Sequence, residues 1–178
     1  MNEQRTGNRR IDRIRDQAYL TSIDALSLDD LRGRRDECLA EREYLSLLRR
    51  LVQGRAEILR AELEARDSGE NKGPLVDRLA QILAGDERQS PARGEAVKIG
   101  LPEEEMLLAR RRIERLVSDA GISDPSALDD ANLASAVELL ATEEREVSTA
   151  RSDVIRVLDT LQDELKRRYR EDPTLVLS

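Results

Sequence analysis

The stretch SLLRRLVQGRAE, Ser46 to Glu57, predicts a helix, because its apolar residues recur at helical spacing. It also carries four polar side chains spaced three, four and four residues apart, which places them on one face of that helix. They are Ser46, Arg49, Gln53 and Glu57. A hydroxyl, a guanidinium, an amide and a carboxylate in one row make this face a candidate binding surface.

The composition predicts an all-α protein. The 178 residues include no His, Phe or Trp and only three Tyr, while Ala, Leu, Glu, Arg and Asp are abundant. This is typical of long helices and coiled coils rather than of a sheet with an aromatic core. No alternating apolar run suggests a strand. We therefore predict a long antiparallel helical hairpin, a coiled coil, with short additional helices in the connection.

Charge and cysteine content narrow the function classes. The net charge of −7 argues against direct DNA binding by a basic surface, although it allows a basic protein partner. The single cysteine, Cys38, excludes an internal disulfide and a Cys-rich metal site, and we interpret it as a small apolar residue at a helix contact. No apolar stretch is long enough to cross a membrane, and no signal-peptide pattern opens the chain. We therefore expect a soluble, cytoplasmic protein.

Capping residues and Gly/Pro punctuation divide the chain. "SLDDL" and "SALDD" each place an aspartate three residues after a serine, which favours a helix start at Ser27 and at Ser126. In chain order we predict a flexible tail at 1–26, a first helical arm at 27–66, connecting helices at 75–84 and 102–119, a second arm at 126–170 and a C-terminal tail at 173–178. Residues 27–172 form the predicted coiled-coil domain.

The two arms resemble each other when the first is shifted by 102 positions. Nine of the 36 residues at 31–66 are then identical to their counterparts. In both arms an apolar seam has the same register, and a polar face lies one residue C-terminal to it. The seam residues are Leu45, Leu48, Val52 and Leu59, and Val147, Ala150, Val154, Val157 and Leu161. The polar faces are Arg42, Ser46, Arg49, Gln53 and Glu57, and Glu144, Ser148, Arg151, Ile155 and Asp159.

These polar faces could read a guanine nucleotide. Arginine donates two parallel hydrogen bonds to O6 and N7 of guanine, and a carboxylate accepts from the donors at N1 and N2. Serine can donate to a phosphate or ribose oxygen. Two copies packed antiparallel are related by an approximate two-fold axis, which suits a two-fold symmetric ligand. The alternative is a solvated, salt-bridged helix face, the usual meaning of Arg and Glu at this spacing.

The paired motifs resemble the RsiG family of actinobacterial anti-sigma factors, which bind cyclic di-GMP. The family's signature, Glu-x3-Ser-x2-Arg-x3-Gln-x3-Asp, occurs once on each helix of an antiparallel coiled coil. The second arm matches it at Glu144, Ser148, Arg151 and Asp159, with Ile155 in place of Gln. The first arm matches it at Ser46, Arg49 and Gln53, with Glu57 for Asp and Arg42 in place of Glu. "LVDRLAQILA" in the connection and "KRRYRED" near the end extend the resemblance over about residues 27–172.

The resemblance implies a mechanism. Two partly interleaved cyclic di-GMP molecules bind both arms, and the loaded protein holds a sigma factor of the WhiG/flagellar type away from RNA polymerase. A structural coiled-coil adaptor without a small ligand is the alternative. An enzyme is disfavoured, because the sequence has no His, no phosphate-cradling Gly loop and no nucleophile with a base nearby.

Overall fold

The computed structural model describes residues 10–67 and 101–176. Within these residues all regular structure is helical, so the predicted all-α class is confirmed. The α-helices are α1 (Arg10–Arg15), α2 (Leu28–Asp67), α3 (Glu103–Asp119) and α4 (Asp130–Glu171). Short 3-10 turns occur at Gln17–Leu20, Ile23–Ala25, Pro125–Ala127 and Pro173–Val176. The predicted helix at 75–84 lies outside the described residues.

The long helices α2 and α4 pack together within two compact units. The described residues of the first unit lie within Met1–Leu47 and Arg145–Ser178, and those of the second lie within Leu48–Glu144. In each unit the two helices run antiparallel: in the first, Arg32 near the start of α2 bonds Tyr169 near the end of α4. In the second, Arg66 near the end of α2 bonds Asp130 at the start of α4.

The start of α2 follows its predicted cap. The Asp30 amide donates to Ser27 Oγ over 3.0 Å, and the Ser27 hydroxyl donates to Asp30 Oδ2 over 2.6 Å. The serine thereby satisfies one of the amide groups that a helix start leaves without an intrahelical acceptor. No proline follows within the helix, which continues for 40 residues.

The start of α4 lies four residues later than predicted. Ser126 belongs to the 3-10 turn Pro125–Ala127, and its amide donates to Asp124 Oδ1 over 3.1 Å. Leu128 then takes an extended conformation, with φ −80° and ψ 144°, which ends that turn. Asp129 caps α4 instead, since its Oδ1 accepts from the Asn132 amide over 2.7 Å. The prediction of Ser126 as the cap is therefore wrong.

Most of the predicted seam is buried. Leu45, Leu48, Val52 and Leu59 of α2 are at most 3 % exposed, and on α4 the buried seam residues are Val147, Ala150, Val154 and Leu161. Val157 is only half-buried, and Leu158 is buried in its place at 2 % exposure. After Val154 the buried residues are Leu158 and Leu161, a spacing of four and then three residues, whereas the prediction of Val157 and Leu161 had a spacing of three and then four. Ala56 occupies the matching buried position on α2.

In the second unit α3 supplies a third layer to the core. Its residues Ile113 and Val117 are buried together with Ile122, which follows the helix. They pack with residues from both long helices, namely Val52, Ala56, Leu59, Leu133, Ala136 and Leu140. Burial of these aliphatic side chains, at about 1.5–3 kcal/mol each, is the main force that holds α3 to the helix pair.

Residues 10–26 are packed where the sequence predicted a flexible tail. Ile14 of α1 is 1 % exposed, and Arg10 Nε donates to Glu41 Oε2 over 2.6 Å. The Tyr19 hydroxyl donates to Glu37 Oε2 over 2.9 Å, and Arg13 also pairs with Glu37. Two of the charges that suggested a solvated tail, Arg10 and Arg13, therefore face acids on α2. At the other end of the chain, the predicted tail includes the turn Pro173–Val176, to which Arg32 donates at the Leu175 carbonyl.

Cys38 is a buried free cysteine, as the sequence predicted. Its side chain has no measurable exposure, and its Sγ lies 3.9 Å from the Tyr19 hydroxyl oxygen. Burial raises the pKa of the thiol to about 11, so the group stays protonated at neutral pH.

An arginine clamp closes one end of each unit. In the first unit Arg168 donates to the carbonyls of Ile23 and Leu26, which belong to the turn preceding α2, over 2.8 and 2.7 Å. Its Nε also donates to Glu164 Oε1 over 2.8 Å. The clamp therefore ties the last turns of α4 to the segment that leads into α2.

The second unit has the same clamp. Arg66 donates to the carbonyls of Pro125 and Leu128, which belong to the turn preceding α4, over 3.1 and 2.6 Å. Its Nε donates to Glu62 Oε1 over 3.0 Å. These hydrogen bonds use a charged donor, which makes them stronger than those between neutral groups.

The carboxylate of Glu164, which pairs with the clamp residue Arg168, is expected to make the stability of the protein depend on pH. Hydrogen bonds from Arg167 and Arg168 lower the pKa of Glu164 from 4.5 to about 2. A carboxylate whose folded pKa is lowered stabilises the protein fully above its unfolded pKa, and this contribution is lost as pH falls through the folded value. The stability difference between the wild type and Glu164→Gln should therefore be largest above about pH 4.5 and shrink towards pH 2. Urea unfolding at pH 6 and pH 3 measures it, and an equal difference at both values would contradict the assignment.

No helix of the described segments combines the length and the apolarity required to cross a bilayer.

Candidate functional site

The polar faces predicted to bind a ligand flank the buried contact between α2 and α4. On α2, Ser46, Arg49 and Gln53 are half-buried and Glu57 is exposed. On α4, Glu144, Ser148 and Arg151 are half-buried and Asp159 is exposed. Each half-buried residue either follows directly after a residue of the buried contact or lies within one helical turn of such a residue. Its aliphatic stem therefore packs against the partner helix, while its polar end can reach solvent.

In the second unit three predicted site residues meet across the helices. Arg49 Nε donates to Glu144 Oε1 over 2.7 Å, and Gln53 Nε2 donates to the same oxygen over 3.2 Å. The Arg49 side chain is 41 % exposed and that of Glu144 is 26 % exposed. We call Arg49, Gln53 and Glu144 the second-unit set. A guanidinium has five N–H donors, so Arg49 can hold Glu144 and still donate to a ligand.

In the first unit two predicted site residues meet across the helices. Arg151 Nε donates to Ser46 Oγ over 2.9 Å, and the Ser46 hydroxyl donates to the Arg42 carbonyl over 2.7 Å. We call Ser46, Arg151 and the neighbouring Arg42 the first-unit set. The sequence predicted that Ser46 donates to a ligand, but here its proton is used by the carbonyl four residues earlier, a common arrangement in helices. Ser46 can contact a ligand in this state only as an acceptor.

The two sets as defined do not include Glu57, Ser148 or Asp159. In the described part of the chain, no hydrogen bond or ion pair links Glu57 or Asp159 to another predicted site residue. The Ser148 carbonyl accepts from the Ser152 hydroxyl over 3.0 Å. Of the two residues that depart from the family signature, Arg42 pairs with Glu43 over 2.7 Å, and Ile155 is half-buried.

The sequence predicted each site residue as a ligand contact but missed the pairing of Arg49 with Glu144. It also missed the clamp residues Arg66 and Arg168. A signal for the clamps was present, because Glu62 and Arg66 match Glu164 and Arg168 at the offset of 102. Identical charged pairs at the ends of both arms could have been read as a repeated structural contact.

Together the fold and the candidate site define a helical protein in which guanidinium, amide, hydroxyl and carboxylate groups lie beside the contact of two long antiparallel helices. A family model described as RsiG-like matches residues 17–83, which include all of α2 and the first motif. The chain is similar to the RsiG-like family over this segment, which is less than half of its length. The second motif lies outside the matched residues. A comparison with curated proteins gives no match.

Proposed function

We propose that the protein is an anti-sigma factor that binds cyclic di-GMP and, when loaded, sequesters a sigma factor of the WhiG/flagellar type. The observation that carries the proposal is that each unit holds one arginine of the repeated motif against an acceptor on the opposite helix. Arg49 meets Glu144 and Arg151 meets Ser46. The RsiG-like match over residues 17–83 supports the anti-sigma part of the proposal.

The groups present suit a guanine nucleotide. Arg49 can donate to guanine O6 and N7, and the Glu144 carboxylate can accept from N1 and N2 of another guanine edge. Arg151 can pair with a phosphodiester or stack on a base. A cyclic dinucleotide with two guanines offers two such edges, and two molecules would offer four. This capacity is the reason to prefer cyclic di-GMP over a nucleotide with one base.

Regulation follows from preferential binding. If cyclic di-GMP binds the complex with sigma more tightly than it binds either protein alone, its free energy of binding favours the sequestered state. A fall in the nucleotide level then releases sigma to RNA polymerase. Sigma factors and this second messenger act in the cytoplasm, so we place the protein there, in the control of development such as sporulation. With a net charge of −7, the protein is proposed to contact sigma rather than DNA.

Calorimetric titration tests the proposal. The full chain is titrated with cyclic di-GMP, cyclic di-AMP and GTP, each with and without a WhiG/flagellar-type sigma factor. We expect heat of binding for cyclic di-GMP and a much weaker signal for the other two nucleotides. Cyclic di-GMP should bind at least about tenfold more tightly when sigma is present than when it is absent, equivalent to about 1.4 kcal/mol of coupling. Absence of cyclic di-GMP binding in both conditions would contradict the proposal.

A structural coiled-coil adaptor is the second candidate. One observation favours it: Glu144 already accepts from both Arg49 and Gln53, as expected of a salt-bridged helix face. On this reading the protein binds no nucleotide under any condition, and loss of partner binding follows only from changes that disrupt the helix contact. The same titration separates the two candidates.

A further inference from the structure

The two units share several contacts at positions 102 apart. The arginine clamps of Arg66 and Arg168 grip equivalent carbonyls, those of Pro125 and Leu128 and those of Ile23 and Leu26. Arg10 donates to Glu41 over 2.6 Å in the first unit, and Arg112 donates to Glu143 over 2.7 Å in the second. The repeat therefore begins at least as early as Arg10, well before the 31–66 segment in which the sequence showed it. Equivalent positions in the two units can be compared directly.

This equivalence fails at the motif. Arg49 of the second-unit set corresponds to Arg151 of the first-unit set, but Glu144 corresponds to Arg42 and Gln53 corresponds to Ile155. Arg49 accordingly donates to a carboxylate and Arg151 to a neutral hydroxyl. The first-unit set has lost both the acid and the amide that its counterpart has.

The exchange of Glu for Arg changes the charge of the set. Two guanidinium groups repel each other, and Arg42 turns to Glu43 on its own helix, which its Nη2 contacts over 2.7 Å. With Glu43 counted, the first-unit set has one net positive charge. The second-unit set, with Arg49 held by Glu144, has none. An anion gains more from the first set than from the second.

We infer that the two sets bind different chemical groups of cyclic di-GMP, each within its own unit, an inference that rests on the proposed function. The first-unit set, Arg151 with Ser46 and Arg42, receives an anionic phosphodiester, since it lacks the acid and amide that would read a base edge. The second-unit set, Arg49 with Gln53 and Glu144, reads a guanine edge, for which its carboxylate is an acceptor of N1 and N2 protons. Arg42 is thus a binding determinant of this chain rather than a defect in the motif.

The substitution Arg42→Glu tests whether Arg42 helps to bind the ligand or is a defect in the motif. It restores the family signature while reversing the local charge. We expect cyclic di-GMP to bind the full-length variant about tenfold more weakly at about 0.05 M salt, with a smaller difference at about 0.5 M, where charges are screened over a few ångströms. Arg42→Gln removes one charge without reversing it and should weaken binding about threefold. The readout is calorimetric titration, with circular dichroism to establish that helix content is unchanged.

Arg170→Glu is the matched control. It makes the same charge reversal at an exposed position of the first unit, about 28 Å along α4 from Arg151 at 1.5 Å per residue. Its effect on affinity should be less than about twofold, since the charge lies beyond the screening distance. Equal or tighter binding by Arg42→Glu, or an effect of Arg170→Glu as large, would overturn the inference while the proposed function stands. Failure of the unaltered protein to bind cyclic di-GMP both with and without sigma would overturn both.

Discussion

Replacing Arg49 and Arg151 together with alanine is expected to reduce affinity for cyclic di-GMP by at least about a hundredfold. A well-placed arginine contact to guanine is worth about 1–3 kcal/mol and a hydrogen bond to a charged group about 1.5–3 kcal/mol, and one arginine of each unit is lost. Helix content should be unchanged, because Arg49 is 41 % exposed and alanine favours helix more than arginine does. Titration of the double variant, together with circular dichroism, measures both quantities. Retention of sigma should fall in parallel with nucleotide binding.

The matched control is the double variant Arg60→Ala and Arg170→Ala. It removes the same number of guanidinium groups from the same two helices, at exposed positions outside both sets. We expect nearly unchanged affinity, because only the total charge differs. If the Arg49 and Arg151 variant bound cyclic di-GMP as tightly as this control does, the polar faces would be salt-bridged surface and the adaptor reading would be favoured.

Replacing Leu48 with aspartate is expected to destabilise the protein by about 4 kcal/mol or more, a large fraction of the roughly 5–15 kcal/mol by which ordinary proteins are stable. Leu48 has no measurable exposure, and an aspartate there would be buried at the helix contact. The variant loses apolar burial and also bears the cost of removing a carboxylate from water. Thermal unfolding followed at 222 nm should show a much lower midpoint or no transition.

Leu139 provides the comparison for this prediction. It carries the same side chain on a long helix of the same unit but is 40 % exposed, so Leu139→Asp should change the unfolding free energy by less than about 1 kcal/mol. Similar melting curves for the two variants would show that the buried contact does not control stability as argued.

Helical periodicity and capping residues predicted α2 and α4 because long amphipathic segments carry many independent signals. The packed segment 10–26 was not predictable in this way. Its helix α1 has six residues, too few to be stable alone, and it is held by tertiary contacts such as that of Arg10 with Glu41. The predicted start of α4 was wrong for a local reason, because three side chains that can cap a helix lie within six residues, namely Asp124, Ser126 and Asp129.

The site was predictable in its faces but not in its pairs. Spacing places Arg49 and Gln53 on one side of α2, and the repeat locates their counterparts on α4. The acceptor that each arginine contacts depends on the axial register of the two antiparallel helices and on competing charges nearby. Neither the register nor the competing charges can be read from the sequence of one helix. The contacts of Arg49 with Glu144 and of Arg151 with Ser46 are therefore seen only in the three-dimensional structure.

The arginine clamps have a consequence for how the protein opens. A long helix usually frays from its ends, where backbone hydrogen bonds are fewest. Here the final turns of both long helices are fastened by side-chain bonds to carbonyls outside the helix, so the termini resist peeling. Amide protons near Arg66 and Arg168 should therefore exchange with solvent more slowly than those of ordinary helix ends.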